Sequence, residues 1–276
     1  MRRPFLDEPI TPFAIWSARL ALFAVAVAAL SVIIVRSGLL DIGPALATFG
    51  AALVFAAAAI LLALASFVAI WRNGVPGLGR ALIALMLGAA LLAYPAYLAV
   101  RAAKLPEIND VTTDFANPPR FDVLARLRPP GRVDYPARYA DLQRKAYPDV
   151  VPLQTDLPVR QAYDQALKVV TKRKWLVVDA RTPSPTRPQG VIEAVARTPI
   201  MGFRDDVVVR VTPLSDGSRI DVRSASRYGL SDFGTNARRV VALLNDLDDA
   251  ISNAPDTGDD TPTPKAPPTR RQPAKR

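Results

Sequence analysis

Three long apolar stretches occupy the first hundred residues of this chain. They cover residues 16–35, 46–70 and 81–100, and the second and third contain no charged residue. A helix of about 20 residues spans the hydrocarbon core of a bilayer, which is roughly 30 Å thick. The first stretch has one charge, Arg19, near an end from which a long side chain reaches the headgroups. We therefore predict a membrane anchor over residues 1–104 with three transmembrane helices.

A cleaved signal peptide is the competing interpretation of the first stretch. Arg2 and Arg3 precede it, and RRPFL resembles the core of a twin-arginine signal. Against this, Asp7 and Glu8 interrupt the basic region, and another apolar stretch follows instead of a cleavage site with a polar mature start. These features favour an uncleaved first helix.

Basic residues near the ends of the stretches set the expected orientation. The two sides carry Arg2, Arg3, Arg72 and Arg80 against Arg36, Arg101 and Lys104. This small excess favours a cytoplasmic N terminus. Three crossings then place the C-terminal part outside the cytoplasm. In a bacterium that compartment is the periplasm, and the anchor lies in the inner membrane.

The anchor lacks the residues of a transport pathway. No Asp, Glu or Lys lies within the three stretches, whereas ion and proton pathways need ionisable groups at that depth. Alanines, together with Gly50 and Gly88, allow helices to approach closely. We expect helices that pack with each other or with copies of themselves, which would make a homo-oligomer.

The composition excludes several kinds of chemistry. The chain has 276 residues, a formal charge of +10, and neither Cys nor His. It therefore has no imidazole base, thiolate nucleophile, disulfide, or Cys- or His-ligated metal. We expect no cofactor. Nucleic acid is not an expected partner, because the basic residues are spread over loops, the tail and a hairpin that also contains acids.

Two proline-rich segments flank the C-terminal domain. Residues 105–157 show no sustained helical or strand period, and residues 254–276 are basic with almost nothing to bury. We predict a disordered tail over residues 254–276, solvated or in contact with anionic lipid or cell-wall polymer. We predict that residues 105–157 form an ordered arm docked on the domain through aromatic side chains: Phe115, Phe121, Tyr135, Tyr139 and Tyr147.

Residues 158–253 have the pattern of a small α+β domain. Pro158 precedes one amphipathic helix, and the patterns of residues 175–180 and 191–198 predict two paired strands. A charged hairpin over residues 205–227 and a final helix, with Ser231 or Asp232 as N-cap, complete the order helix, four antiparallel strands, helix. The apolar stripes of the two helices are Ala162, Tyr163, Ala166, Leu167 and Val170, and Val240, Leu243, Leu244, Leu247 and Ile251.

The charged hairpin concentrates four Asp and four Arg in residues 205–227. A two-residue turn at Asp216 and Gly217 would place Arg210 opposite Arg223 and Asp206 opposite Arg227. This register keeps one face apolar and collects the charges on the other. Ser224 and Ser226 would then turn toward the apolar face.

The charged face has two interpretations, a structural ladder of ion pairs or a ligand-binding or acid–base site. Equal numbers of acids and bases favour mutual pairing, and we assign no catalytic residue. The candidate polar cluster is Glu193, Asp206, Arg210, Asp221, Arg223 and Arg227.

Two further sites are weaker candidates. The start of the final helix offers backbone N–H groups and cations to an anion, although Asp232 serves equally well there as a cap. Asp110, Thr112 and Asp114 are oxygen donors, but two carboxylates make a poor calcium site, and we predict no metal. The candidate anion site is Gly234, Thr235, Asn236, Arg238 and Arg239.

Four motifs resemble one bacterial family in the family's order. They are DVTTDFANPPRF, QRKAYPDVVP, IEA, and GFRDDVVVRVTPLSDGSRIDVRSASRYGLSDFGTNARRV. Over residues 108–247 the chain is similar to the family called domain of unknown function 1499. The resemblance implies a membrane-tethered envelope protein and no particular activity or site residue. Many members have a Cys-containing segment where this chain reads NPPRF.

These observations favour a noncatalytic envelope module that binds a protein, lipid or polymer. A hydrolase using Glu193, Asp206 or Asp221 with Ser224 or Ser226 is one alternative, and an anion or phospholipid headgroup binder is another. A hydrolase needs a cleft at these carboxylates, whereas a structural ladder is covered by the arm.

Overall fold

The computed structural model describes residues 9–38, 42–128 and 133–253. The three apolar stretches lie in α1 (Pro12–Ser37), α2 (Ile42–Asn73) and α3 (Leu78–Ala102), each long and apolar enough to cross a membrane. The predictions that concern Arg2, Arg3 and the tail over residues 254–276 fall outside the described residues.

Small residues line the contacts between the three helices. At Gly88 of α3, a Cβ would stand 2.7 Å from Ile60 Cγ1 and 3.1 Å from the Ala56 carbonyl oxygen of α2. At such distances no side chain fits at position 88, so the glycine allows α2 and α3 to come into contact. The larger apolar side chains point outward, as lipid-facing side chains do; examples are Leu22, Leu30, Val54, Leu61 and Met86.

In its described residues, the C-terminal domain contains one antiparallel sheet of six strands, whereas the sequence predicts four. The strand order is β1-β6-β5-β4-β3, and β2 pairs with the same edge of β6 as β1 does. The strands are β1 (Asp110–Thr112), β2 (Leu153–Thr155), β3 (Leu176–Arg181), β4 (Gly190–Arg197), β5 (Arg204–Leu214) and β6 (Gly217–Ser226).

One face of the sheet packs against two helices. These are the predicted helices, α5 (Val159–Lys172) and α6 (Thr235–Ser252), and their apolar stripes cover the valines of β5 and β6. Tyr163 of α5 and Leu243 of α6 are almost completely buried. The main hydrophobic core of the domain therefore lies between these helices and the sheet.

The described residues of the arm, 105–128 and 133–157, cover the opposite face and one edge of the sheet. They contribute β1, β2, a 3₁₀ helix (Leu124–Leu127) and α4 (Tyr139–Ala146). None of these four elements was predicted, because each is too short to show a period between prolines. Phe121 and Leu124 are buried against Val195, Val208 and Ala225 of the sheet.

The register of the β5–β6 hairpin differs by two residues from the prediction. Leu214 pairs with Gly217, so Ser215 and Asp216 form the turn and Gly217 opens β6. Gly217 has φ +126°, and a Cβ there would stand 2.1 Å from the Thr155 carbonyl oxygen of β2. The glycine thus serves the close approach of an unpredicted strand. A shift of two residues keeps every side chain on the same face of the sheet, so the charged face is as predicted.

Candidate functional site

The charged side chains lie on the face of the sheet that the arm covers. Alternation along β5 turns Asp206 and Arg210 to this face, and alternation along β6 does the same for Asp221 and Arg223. We call the set the buried charge layer. It consists of the six candidate residues, Glu193, Asp206, Arg210, Asp221, Arg223 and Arg227, with their partners Asp110, Asp114, Arg128, Arg181 and Arg219.

Asp206 is completely buried between two guanidinium groups. Arg227 donates from Nε and Nη2 to Oδ1 at 2.9 and 2.8 Å. Arg128, from the arm, donates from Nη1 to Oδ2 at 2.8 Å, and its Nη2 reaches the Ser226 carbonyl oxygen. The carboxylate therefore holds the arm to the end of β6. The predicted pairing of Asp206 with Arg227 forms across a diagonal, because Ala225 is the residue directly opposite.

Arg223 is 1% exposed and is the largest fully buried side chain among the described residues. Its Nε and Nη2 bind the two oxygens of Asp110 at 3.0 and 2.7 Å, and it also donates to the Pro119 carbonyl oxygen. The guanidinium lies over the ring of Phe121, 4.7 Å from its centroid. Burial raises the pKa of Asp110, and the bidentate pair with Arg223 opposes that rise. All of these partners belong to the arm.

Glu193 of β4 binds the backbone of the arm. Its Oε1 accepts the N–H groups of Asp122 and Val123 at 2.9 and 3.2 Å, and its Oε2 accepts that of Leu124 at 2.8 Å. These N–H groups open the 3₁₀ helix, where a carboxylate is favourable. Arg181 of β3 also donates to Glu193, at 3.3 Å. Glu193 is 0% exposed and fixes the middle of the arm to the sheet.

Arg210 and Asp221 stand directly opposite each other and form an ion pair at 3.0 Å. Arg210 also binds Asp114 of the arm at 2.9 Å, while Arg219 and the Thr113 hydroxyl donate to Asp221. Burial acts to raise the pKa of Asp114, but the Asn117 N–H and the charges of Arg219 and Arg210 outweigh it, so this pKa is lowered. Arg210 therefore does not stand opposite Arg223, as the predicted register would have placed it; the residue opposite Arg223 is Val208.

The layer lacks what acid–base catalysis requires. Each carboxylate of the six candidate residues accepts hydrogen bonds from arginine or backbone N–H groups, and none is exposed by more than 2%. Ser224 faces the helices, where its hydroxyl donates to Asn236 at 2.8 Å. Ser226 receives a hydrogen bond from Asn236 and lies away from the carboxylates. Nucleophile and base are therefore not brought together.

The candidate anion site at the start of α6 is already filled by Asp232. The carboxylate accepts the N–H groups of Gly234 and Asn236 at 2.9 and 2.7 Å. The N-cap residue of α6 is Gly234, not Ser231 or Asp232 as predicted, so Asp232 binds these N–H groups from two positions before the N-cap. Burial raises the pKa of Asp232. Arg239 pairs with Asp205 and does not face an open site. Arg238 pairs with neither Asp232 nor Asp205; it donates a hydrogen bond to the Thr235 hydroxyl.

Asp110, Thr112 and Asp114 do not converge on a cation site. Asp110 pairs with Arg223 and Asp114 with Arg210, while the Thr112 hydroxyl donates to the Asp114 carbonyl oxygen. Among residues 9–38, 42–128 and 133–253 there is no group of three metal-ligating side chains. The two carboxylates are docking partners for the sheet.

The sequence showed the sheet half of this layer but not the arm half. Asp110, Asp114 and Arg128 were not recognised as partners, because each contacts a residue roughly 80 to 110 positions away. One available signal was the surplus of charges in a proline-rich segment that also contains aromatic residues. Charged and aromatic side chains in such a segment indicate that it docks on oppositely charged and apolar residues elsewhere in the chain.

Fold and site together define an α+β domain, an antiparallel sheet with helices on one face and an ion-paired arm on the other, preceded by three apolar helices. The family model described as "Protein of unknown function (DUF1499)" matches residues 110–247. The chain belongs to this family, as its motifs indicated, and the matched region contains both arm and sheet. A comparison with curated proteins gave no match.

Proposed function

We propose that this protein is a noncatalytic, membrane-tethered module of the bacterial envelope whose domain binds a partner on the periplasmic side of the inner membrane. The observation that supports this most strongly is the cover over the buried charge layer. Asp206 and Glu193, the carboxylates best placed for chemistry, are completely buried and bound to Arg128 and to the backbone of residues 122–124. The layer is therefore architecture, and the binding surface lies elsewhere.

The proposed location follows from the apolar helices and their flanking charges. Three crossings separate the N terminus from the domain. Arg72 and Arg80 flank the turn between α2 and α3, whereas Arg36 and Arg101 lie at the opposite ends of their helices. With Arg2 and Arg3 counted, the excess favours a cytoplasmic N terminus. Reporter fusions at residue 253 test this: alkaline phosphatase should be active there, and cytoplasmic green fluorescence absent.

The test of the noncatalytic assignment uses the full chain in lipid nanodiscs. Chromogenic carboxylic esters, phosphate monoesters and phosphodiesters are supplied as probes, with the variants Asp221→Asn and Glu193→Gln in parallel. We expect no turnover above that of empty nanodiscs. Turnover by the wild type that either substitution abolishes, with unfolding temperature retained, contradicts the proposal and supports the hydrolase.

Binding is tested with the same nanodiscs and two envelope probes. The probes are soluble peptidoglycan fragments and anionic phospholipid, and the readout is a saturable rise in the unfolding temperature. We expect at least one of them to bind. A failure of both, together with turnover in the previous experiment, overturns the proposed function.

A further inference from the structure

A cleft of about 330 Å³ opens where α3 meets the C-terminal domain. Its walls come from the end of α3, the connection between α4 and β2, and the first turns of α6. Arg101, Tyr147, Gly234 and Arg238 supply its polar groups, and Ala237 and Val241 line the apolar side. The cleft is distinct from the buried charge layer and shares no residue with it.

Two cations in this cleft have no carboxylate partner. Within the described part of the chain, neither Arg101 nor Arg238 forms an ion pair; Arg101 donates to the Tyr97 hydroxyl and Arg238 to the Thr235 hydroxyl. This sets them apart from the arginines of the buried charge layer. Asp149 lies at the rim but is exposed and pairs with neither. An anion that enters the cleft thus finds two arginine side chains that form no ion pair with any described carboxylate.

The Tyr147 hydroxyl is a buried donor that lacks an acceptor. Among the described residues its oxygen has no hydrogen-bond partner. Burial raises the pKa of this phenol, with Asp232 acting in the same direction, so the group stays protonated at neutral pH. A Cβ at Gly234 would lie 3.2 Å from Tyr147 Oη and 3.3 Å from Arg101 Nη2. The hydroxyl and the guanidinium therefore converge on one point, which the absence of a side chain at Gly234 keeps open.

The position of the cleft relative to the apolar helices indicates the kind of anion. Arg101 is in the last turn of α3, the level at which a membrane helix enters the headgroup region. At the end of α1, Arg36 donates to the carbonyl oxygens of Pro199 and Ile200 in the β4–β5 loop at 2.7 and 3.0 Å. The domain is thus held against the ends of two membrane helices, with the cleft facing the same level.

Exposed apolar side chains near these contacts support a lipid surface. Ile200 of the β4–β5 loop is 42% exposed, and Tyr228 and Leu230 in the loop before α6 are 51% and 61% exposed. The α6 loop adjoins α3, because Leu105 lies against Gly234. Apolar tips beside unpaired arginines are the pattern of a surface that meets the boundary between headgroups and acyl chains.

We propose that the cleft formed by Arg101, Tyr147 and Arg238 binds the phosphate of an anionic phospholipid headgroup at the membrane surface. Arg101 and Arg238 contact the phosphate oxygens, and the Tyr147 hydroxyl donates to one of them. Ala237 and Val241 contact the glycerol. The inference rests on the proposed function and names lipid as the partner class.

The test is a titration of the full-length protein, delipidated in neutral detergent, with dioctanoyl phosphatidylglycerol. Dioctanoyl phosphatidylcholine and inorganic phosphate are titrated in parallel, and the readout is the unfolding temperature. We expect a saturable rise with phosphatidylglycerol and a response to phosphatidylcholine at least tenfold weaker. Equal responses to the two lipids refute a site for anionic headgroups, and so does a rise with phosphate alone where phosphatidylglycerol gives none.

Variants assign the response to the cleft. Arg101→Gln and Arg238→Gln should each weaken apparent phosphatidylglycerol affinity about tenfold, the effect of losing one charge-assisted contact. Tyr147→Phe should weaken it several-fold and leave the unfolding temperature without lipid unchanged, since the hydroxyl has no partner to lose. Arg187→Gln, at an exposed position of the β3–β4 loop, removes the same charge elsewhere and should have no effect.

The variants also remain informative if one of them folds poorly. If Arg101→Gln disturbs α3, Arg238→Gln and Tyr147→Phe still report on the cleft, because both alter the soluble domain. Unchanged affinity in these two refutes the proposed cleft. If peptidoglycan fragments bind while phosphatidylglycerol does not, the lipid inference fails and the noncatalytic function stands; substrate turnover would instead remove the function itself.

Discussion

Replacing Asp206 with Asn should destabilise the domain strongly. Asp206 is 0% exposed and forms ion pairs with both Arg128 and Arg227. Asn is nearly isosteric but uncharged, and its Nδ2 group would point at guanidinium donors. Removing one partner of a buried ion pair costs about 3–5 kcal/mol, because the remaining charge stays buried without compensation. For a domain of this size, we expect the unfolding temperature to fall by about 6–20 °C.

The assay needs a signal from the domain rather than from the apolar helices. The chain has three tryptophans, of which Trp16 and Trp71 lie in α1 and α2 and Trp175 packs against the domain core. In a Trp16→Phe, Trp71→Phe background, the fluorescence of Trp175 reports domain unfolding of the full chain in detergent. All variants are compared in this background.

Asp141→Asn is the matched control for Asp206→Asn. Asp141 forms an ion pair with Arg144 on the surface of α4, and its side chain is 96% exposed. The same chemical change there should cost less than about 0.5 kcal/mol, because solvent screens the pair. The contrast between the two variants isolates burial as the cause.

A double-mutant cycle examines the pairing itself. Combining Asp206→Asn with Arg227→Gln removes one of the two stranded cations, so the double variant should be more stable than the sum of the single effects by about 1 kcal/mol or more. Additive effects, or an Asp206→Asn protein as stable as wild type, would refute the structural role of the buried charge layer.

Three further substitutions and one control substitution probe separate parts of the domain. Asp114→Asn should lower the free energy of unfolding by about 1 kcal/mol at neutral pH. The pKa of Asp114 is lowered from its ordinary value of 3.8, so the stabilisation that Asp114 provides should be lost as the pH falls below 3.8. Unfolding measured as a function of pH tests this, and a difference between variant and wild type that does not change with pH contradicts it. Glu193→Gln should cost about 1–2 kcal/mol and speed hydrogen exchange at the amides of residues 122–124, and unchanged exchange contradicts the capping role. An alanine at a positive φ costs about 1–3 kcal/mol in backbone strain. Gly217→Ala should destabilise the domain by more than this, because its Cβ would also meet the Thr155 carbonyl oxygen. Gly229→Ala, with φ +82° and no atom within 3.5 Å of its Cβ position, should show the strain alone, and equal losses in the two thermal unfolding curves contradict the close approach.

The parts of the fold that the sequence predicts are those with long, regular patterns. Hydropathy over about 20 residues locates α1, α2 and α3, and alternation along β5 and β6 places most of the valines on one face and most of the charges on the other. These signals are local and repeat several times within one element. The same holds for the stripe of α6, from Val240 to Leu247.

The remaining parts depend on contacts between distant segments. β1 and β2 have three residues each, too few for a visible alternation, and they become strands because the free edge of β6 offers partners. The hairpin register was wrong because it assigned Gly217 to the turn, whereas the backbone of Thr155 in β2 requires a glycine there. The cleft at Arg101 and Arg238 was missed for a similar reason, since its walls come from α3, the arm and α6.

The ion pairs of the buried charge layer explain where the arm docks on the sheet better than how strongly it docks. An apolar interface of equal size would be about as stable, since desolvation offsets most of the Coulombic gain of buried pairs. Charges, however, allow one register: Asp110 matches Arg223 and Arg128 matches Asp206, and a shifted arm would break both pairs. Because the arm follows α3 directly, that register also sets the height of the sheet above the end of α3. The layer therefore positions α6 over the end of α3, where Arg238 and Arg101 line one cleft.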